Sequence, residues 1–202
     1  MKTGLKSKLR EKVPEMILEA VSVVLAVLLA LAVDAWREDR RHAREADRAR
    51  QGVLDEIASN HEELAENAEG NRAMLATVRQ VVEALGTEED QGSSAEFSVA
   101  LLSSATWDTA KLTLSVDHLD FDWVARISKL YELQGLFNRR QDELVSFLSS
   151  GTLGYEEDQF VRSMHRRLET VVELQDGLLV AYAKMHPDLA DDPVADEASQ
   201  ES

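Results

Sequence analysis

An apolar run near the N-terminus leaves the chain few possible architectures. Residues 16–33 read MILEAVSVVLAVLLALAV, 18 residues with one charge, Glu19. At a helical rise of about 1.5 Å per residue the run extends roughly 27 Å, close to the ~30 Å hydrocarbon core of a bilayer. Pro14 suits the first turn of a helix, where its missing N–H costs no hydrogen bond. We therefore predict a transmembrane helix over residues 14–36.

Both flanks of this run suit a membrane interface. Residues 1–15 carry five lysines or arginines against two acids, and residues 1–13 form a basic N-terminal tail. After the run comes Trp36, whose indole prefers the headgroup region, followed by a basic cluster of Arg37, Arg40 and Arg41. Anionic headgroups attract both basic segments.

The rival interpretation is a cleaved signal peptide, because Ala30-Leu31-Ala32 resembles a cleavage site. Glu15 and Glu19 at the entry of the run and the arginines after it argue against export and cleavage. We favour the anchor. The five basic residues before the span and six after it nearly balance, but a short basic tail usually stays inside. The bulk of the chain is then expected in the periplasm.

Two features of the span suggest more than anchoring. Ser22, Ala26 and Ala30 recur every four residues, as in stripes on which a second helix packs closely. Glu19 is a carboxyl inside an apolar stretch, where ionisable groups are often functional. The alternatives are that alanine is simply common in spans and that Glu19 reaches the headgroups.

The remainder of the chain is acidic and favours helix. The net charge is −16, and because residues 1–50 sum to +3, residues 51–202 carry −19. Such a charge repels nucleic acid, so DNA and RNA are excluded as partners. The chain has 3 prolines, 9 glycines and no cysteine, which favours helix and excludes disulfides and thiolate sites.

The predicted fold class is all-α: a transmembrane helix followed by an antiparallel bundle of three long helices and a short one. A charged stalk helix over residues 37–52 leads into an acidic helical bundle over residues 53–186. An apolar seam of alternating three- and four-residue steps runs from Leu54 to Leu85. Further elements are a loop over 86–95, a short helix over 96–103, long helices over 121–148 and 156–185, and a disordered acidic tail over 187–202.

The sequence contains no recognisable catalytic motif and no Glu-x-x-His pair, so we predict no catalytic residues, no metal and no cofactor. His61 and His165 lie on or beside helical seams. They fit a metal site or pH switch, or else ordinary core histidines. A possible pocket around the least regular segment would be lined by Trp107, Asp108, Lys111, Trp123, Tyr131 and Gln134. Alternatively, these aromatics cap the bundle core.

Four segments of the chain resemble a family of bacterial single-pass membrane proteins with a domain of unknown function. They are the anchor EMILEAVSVVLAVLLALAVDAWRE and the later segments LDEIASNHEEL, ATWDTAKLT and LDFDWVARISKLYELQ. The resemblance covers most of residues 15–148. It implies a bacterial inner-membrane location and no known activity. The positions that match it are Glu19, Trp36, Asn60, Trp107, Ala110, Tyr131 and Gln134.

These observations favour a non-enzymatic, membrane-anchored interaction or scaffold protein. Its expected partners are the lipid bilayer and either a second copy of the chain or another membrane protein. The alternative is a sensor-like bundle that binds a ligand and acts through a partner. An enzyme of unrecognised type is the third hypothesis, because a fold does not fix a function.

Overall fold

The structure, a computed structural model, describes residues 4–85, 97–151 and 156–186, with side chains from residue 18 onward. The predicted loop over residues 86–95 and the predicted disordered tail over 187–202 lie outside the described residues. So do residues 1–3 of the basic tail and the side chain of Pro14.

The described chain is all-helical. The elements are α1 (Gly4–Ala84), α2 (Ala105–Leu112), a 3-10 turn (Ser115–His118), α3 (Phe121–Ser150) and α4 (Glu157–Met185), with no strand in the three described ranges. Two compact units divide the chain, Met1–Asp47 and Arg48–Ser202.

In the first unit, the apolar run forms part of α1 and has no protein cover. Every valine and leucine from Leu18 to Val33 is exposed, with exposed fractions between 41% at Val33 and 74% at Leu18. The helix is long and apolar enough to cross a membrane. Aliphatic side chains exposed on all faces of a helix are stable only when something other than water covers them.

The second unit is a helical bundle with one hydrophobic core. The predicted seams supply it: α1 contributes Ile57, Leu64 and Ala68, α3 contributes Ile127, Phe137 and Leu144, and α4 contributes Leu168, Leu178 and Tyr182. The start of α3 is fixed by Asp120, whose carboxylate accepts a hydrogen bond from the Trp123 backbone N–H at 2.8 Å. Its end is fixed by Gly151, whose φ of 61° suits glycine.

Contacts between the helices define their directions. From α1 to α3, Glu56 contacts Tyr131 and Asn60 contacts Gln134, so both residue numbers rise together. From α1 to α4, Arg72 contacts Asp176 and Arg79 contacts Glu169, so the numbers run in opposite senses. The antiparallel prediction therefore does not hold for the α1–α3 pair. The reason is that the 36 residues between them include a described stretch that runs back along the bundle.

That stretch corrects a second prediction. A short helix was expected over residues 96–103, but the described residues 97–104 have no regular secondary structure, and the short helix α2 begins only at Ala105. Ser98 contacts Asn71 and Ser103 contacts Asn60, so five residues of this stretch cover eleven residues of α1, which requires a nearly extended backbone. In this stretch Leu101 is 80% exposed, whereas Ala100 is buried. Hydrogen bonds from the surrounding helices replace those that a helix would have made within this segment.

Candidate functional site

Residues 97–104, which we call the extended segment, are held by side-chain amides of the bundle. Asn71 accepts from the Ser98 N–H and donates to the Ser98 carbonyl, both at 3.0 Å. Gln141 accepts from the Ala100 N–H and donates to the Ala100 carbonyl, both at 2.9 Å. Each amide thus offers the backbone the donor and acceptor that a neighbouring strand would offer.

The far end of the extended segment is bound in the same way. Asn60 accepts from the Ser103 N–H at 2.8 Å and donates to the Ser103 carbonyl at 2.7 Å. Gln134 donates to the same carbonyl at 2.9 Å. The Gln134 carbonyl oxygen in turn accepts from the Tyr182 hydroxyl at 2.9 Å. These inward-facing amides are therefore structural: they satisfy buried backbone groups.

Glu56 fixes the start of α2. Its carboxylate accepts from the backbone N–H groups of Thr106 at 2.8 Å and Trp107 at 3.4 Å, and from the hydroxyls of Ser103 at 2.9 Å and Tyr131 at 2.6 Å. Burial alone would raise the pKa of Glu56, but these hydrogen bonds to the charged form together lower it. The carboxylate acts as a capping group supplied by another helix, since α2 has no side-chain cap of its own.

The aromatic residues of the predicted pocket lie in or beside this network. Trp107 is buried and stacks on Tyr131, with ring centroids 5.7 Å apart and planes 5° apart. Burial and the hydrogen bond to the Glu56 carboxylate raise the pKa of the Tyr131 hydroxyl, so it stays protonated. Asp108 and Lys111 lie outside on α2 and form an exposed ion pair at 2.8 Å. Lys111 holds the pKa of Asp108 below its ordinary value.

An open cleft lies instead between α1, α3 and α4, with a volume of about 530 Å³. Its floor is apolar and consists of Leu54, Trp123, Leu130, Ala181 and Met185. Its rim consists of Arg50, Arg126, Lys129 and Lys184. We call it the basic cleft. Of the six residues predicted to line a pocket, Trp123 lines this one.

The four rim residues were not singled out from the sequence. The available signal was weak: Arg126 follows Trp123 by three residues and so shares its side of α3, and Lys129 follows Arg126 by three. Nothing in the sequence shows that Arg50 and Lys184 meet them, because that depends on the directions of α1 and α4.

A second, smaller cleft of about 360 Å³ lies between α3 and α4 and is polar. Arg140, Arg166 and Arg167 line it together with Glu143, which pairs with Arg140 at 2.8 Å. One of the three guanidiniums in this cleft therefore has a carboxylate partner within it.

The histidine side chains do not form a metal site in the part of the chain that the structure describes. His61 is buried and His165 is half-buried. No group of three or more His, Asp or Glu side chains is placed to hold a metal ion within the described ranges.

The singled-out residues of the span are all exposed in the first unit. The Ser22 hydroxyl donates to the Glu19 carbonyl at 2.8 Å, within its own helix. Ala26 and Ala30 leave their face of α1 open, as the stripe requires.

At the C-terminal flank of the span, basic side chains find local partners. The Arg40 guanidinium lies 4.6 Å from the centroid of the Trp36 ring. Arg41 pairs with Glu38 at 2.6 Å, and Arg37 is exposed.

Comparison of the chain with protein-family models, with curated proteins and with solved structures found no match. The family resemblance is therefore carried by the quoted residues alone. Five of the positions that match the resemblance are buried or half-buried around the extended segment and α2: Asn60, Trp107, Ala110, Tyr131 and Gln134.

Proposed function

We propose that this protein is a non-enzymatic, membrane-anchored interaction module that oligomerises or docks on a membrane complex. The observation that carries the proposal is the uncovered apolar surface of α1 from Leu18 to Val33. In water this surface would be a severe aggregation hazard, whereas in a bilayer it is the expected lipid contact. The chain then crosses the membrane once through residues 14–36.

The family resemblance supports a bacterial inner-membrane location, and the short basic tail supports a periplasmic position for the bundle. In this arrangement the three long helices and α2 form a binding surface outside the cytoplasm. The bilayer is one partner, and a second copy or another membrane protein is the other.

Structural use of the buried polar groups supports a non-enzymatic role. Four of these side chains make hydrogen bonds to the extended segment, to α2 or to one another: Glu56, Asn60, Gln134 and Tyr131. A general base needs a lone pair that reaches substrate, and a nucleophile needs an adjacent base. The hydrogen bonds that Glu56 accepts from the Thr106 and Trp107 N–H groups occupy lone pairs that a general base would need.

Topology can be tested directly because the chain has no cysteine. Ser150→Cys and Ser7→Cys variants of the full chain would be labelled in intact cells with a membrane-impermeant maleimide. Labelling at position 150 alone is expected for a periplasmic bundle. Labelling at position 7 alone would reverse the orientation and place the binding surface in the cytoplasm.

Self-association through the span can be tested with two matched cysteine variants. Ala26→Cys lies on the small-residue stripe, whereas Leu28→Cys lies about 200° around the same helix. Oxidation in native membranes is expected to give a disulfide-linked dimer for position 26 and not for position 28. Equal crosslinking at both positions, or none at position 26, would remove the stripe as an interface.

The second candidate function is ligand binding by the bundle, with the signal passed through a partner. The basic cleft favours this function, because it is open, largely apolar and within the ~300–1,000 Å³ typical of ligand sites. Thermal unfolding of the full chain across a metabolite panel tests it, since a ligand that binds only the folded state raises the midpoint. A flat response across carboxylates, phosphates and amphiphiles would count against it.

A further inference from the structure

The rim of the basic cleft concentrates positive charge on an acidic chain. Four of its nine lining residues are lysine or arginine and none is acidic, although the chain carries −16. Within the described residues, none of the four has a carboxylate within 4.0 Å, while Arg72, Arg79 and Arg140 elsewhere on the bundle are paired. Four like charges around one cleft repel one another unless an anion joins them.

The floor of the cleft is apolar and partly open. Leu54, Ala181 and Met185 are half-buried, and they lie beside the buried Trp123. The Arg50 guanidinium lies 5.6 Å from the centroid of the Trp123 ring, at the boundary between floor and rim. A small inorganic anion would leave this apolar floor in water. A neutral lipid would cover the floor but leave the cations without a partner.

We infer that the basic cleft binds an amphiphile with an anionic head group and an aliphatic tail. The carboxylate or phosphate of the head lies among Arg50, Arg126, Lys129 and Lys184, and the tail covers the floor. This inference deepens the ligand-binding function and rests on it. It does not depend on the membrane anchor.

Two sources share this chemistry: an anionic phospholipid of the bilayer and a soluble fatty acid. The full chain would be reconstituted in phosphatidylcholine nanodiscs. It would be exposed in separate arms to phosphatidylglycerol, phosphatidylcholine or a soluble fatty acid, each with a photoactivatable diazirine in the acyl chain. Mass spectrometry of peptides then locates the label.

Two double variants of equal charge change test the rim. Arg126→Gln with Lys129→Gln removes two rim cations, and Arg162→Gln with Arg166→Gln removes two exposed cations elsewhere on the bundle. All four side chains are exposed, so the fold is retained, which circular dichroism verifies. The rim variant is expected to lose labelling by about ten-fold, the change for ~1.4 kcal/mol of lost charge contacts, while the control variant keeps it.

A third variant, Ala181→Trp, fills the floor and leaves all four cations in place. Labelling of the peptides that contain Leu54, Trp123 and Met185 is expected to fall to background. Persistent labelling there would show that the tail lies elsewhere and would overturn the inference.

The arms separate the outcomes. Labelling by phosphatidylglycerol alone supports the inference with the bilayer as source, and labelling by the fatty acid alone supports it with a soluble source. Equal labelling by phosphatidylcholine, or labelling unchanged in the rim variant, would overturn the anionic requirement and retain ligand binding. Absence of cleft labelling in every arm would overturn the inference, whereas ligand binding by the bundle is decided separately by thermal unfolding across the metabolite panel.

Discussion

Glu56 illustrates how one buried carboxylate can organise a stretch of chain distant in sequence. It lies on α1, is 9% exposed, and accepts hydrogen bonds from Ser103, Thr106, Trp107 and Tyr131, at sequence separations of 47 to 75 residues. Two of the four donors are backbone N–H groups at the first turn of α2, where the helix dipole also favours a negative charge.

This arrangement predicts a pH-dependent contribution to stability. The pKa of Glu56 is lowered from its ordinary 4.5, so the ionised form is stabilised by folding. The contribution is complete above pH ~4.5 and is lost as the pH falls through the lower folded-state pKa. Glu56→Gln should therefore cost about 1–3 kcal/mol at pH 7, and the difference from the parent should shrink below pH ~4.5. Urea unfolding of the full chain in detergent, measured from pH 7 to pH 3, checks this.

Glu62→Gln is the matched control, because Glu62 is exposed on the same helix. It should change stability by less than about 0.5 kcal/mol at every pH. A Glu56→Gln penalty that stays constant down to pH 3 would mean that the charge does not matter and that shape alone does.

At the scale of elements, the extended segment depends on amides from α1 and α3 rather than on its own hydrogen bonds. Gln141→Leu conserves length and leaves both backbone groups of the buried Ala100 without partners. We expect a loss of about 2–4 kcal/mol, because each unsatisfied buried group costs roughly 1–3 kcal/mol. Chemical denaturation measures it. Gln51→Leu on the exposed face of α1 is the control, and a similar loss there would contradict the assignment.

A second prediction concerns the contact between α1 and α2. A Cβ at Gly52 would lie 3.0 Å from the Thr106 methyl, whereas a Cβ at Gly177 of α4 would have no neighbour within 4 Å. Gly177→Ala should therefore stabilise the chain by about 0.5–1 kcal/mol, the difference in helix propensity. Gly52→Ala should lack this gain, and adding Thr106→Ser should restore it. Thermal unfolding of the three variants and the parent decides, and an equal gain at both glycines would refute the close contact.

Periodicity predicted the helices well and the path between them poorly. The seams of α3 and α4 follow from apolar spacing alone, since a buried helical face must repeat every three or four residues. The extended segment could not be recognised, because its hydrogen bonds come from Asn60, Asn71 and Gln141, far away in sequence. No local rule assigns the hydrogen-bond partner of a glutamine on the inward face of a helix. The basic cleft could not be predicted for the same reason, because its lining residues come from three helices that are distant in sequence.

At the scale of the whole molecule, the two units show opposite distributions of apolar residues. The first unit exposes every valine and leucine from Leu18 to Val33, whereas the second unit buries a core that includes Ile57, Leu64 and Leu144. Leu25→Arg should weaken membrane association, because an arginine at the centre of a span costs about 2.5–3.5 kcal/mol on insertion. Carbonate extraction of membranes measures the released fraction. Leu101→Arg, at an exposed position of the bundle, should leave membrane association unchanged, and release by both variants would indicate general misfolding.

Hydrogen bonds to backbone groups hold the extended segment in place, and this determines which of its residues can be substituted. Amides at positions 60, 71 and 141 contact main-chain atoms that every residue type except proline possesses. The side chains of Val99 and Leu101 are exposed and make none of these hydrogen bonds. Substitutions other than proline at the exposed Val99 and Leu101 should therefore be tolerated, while the buried Ala100 and the three polar positions within regular helices should accept almost none.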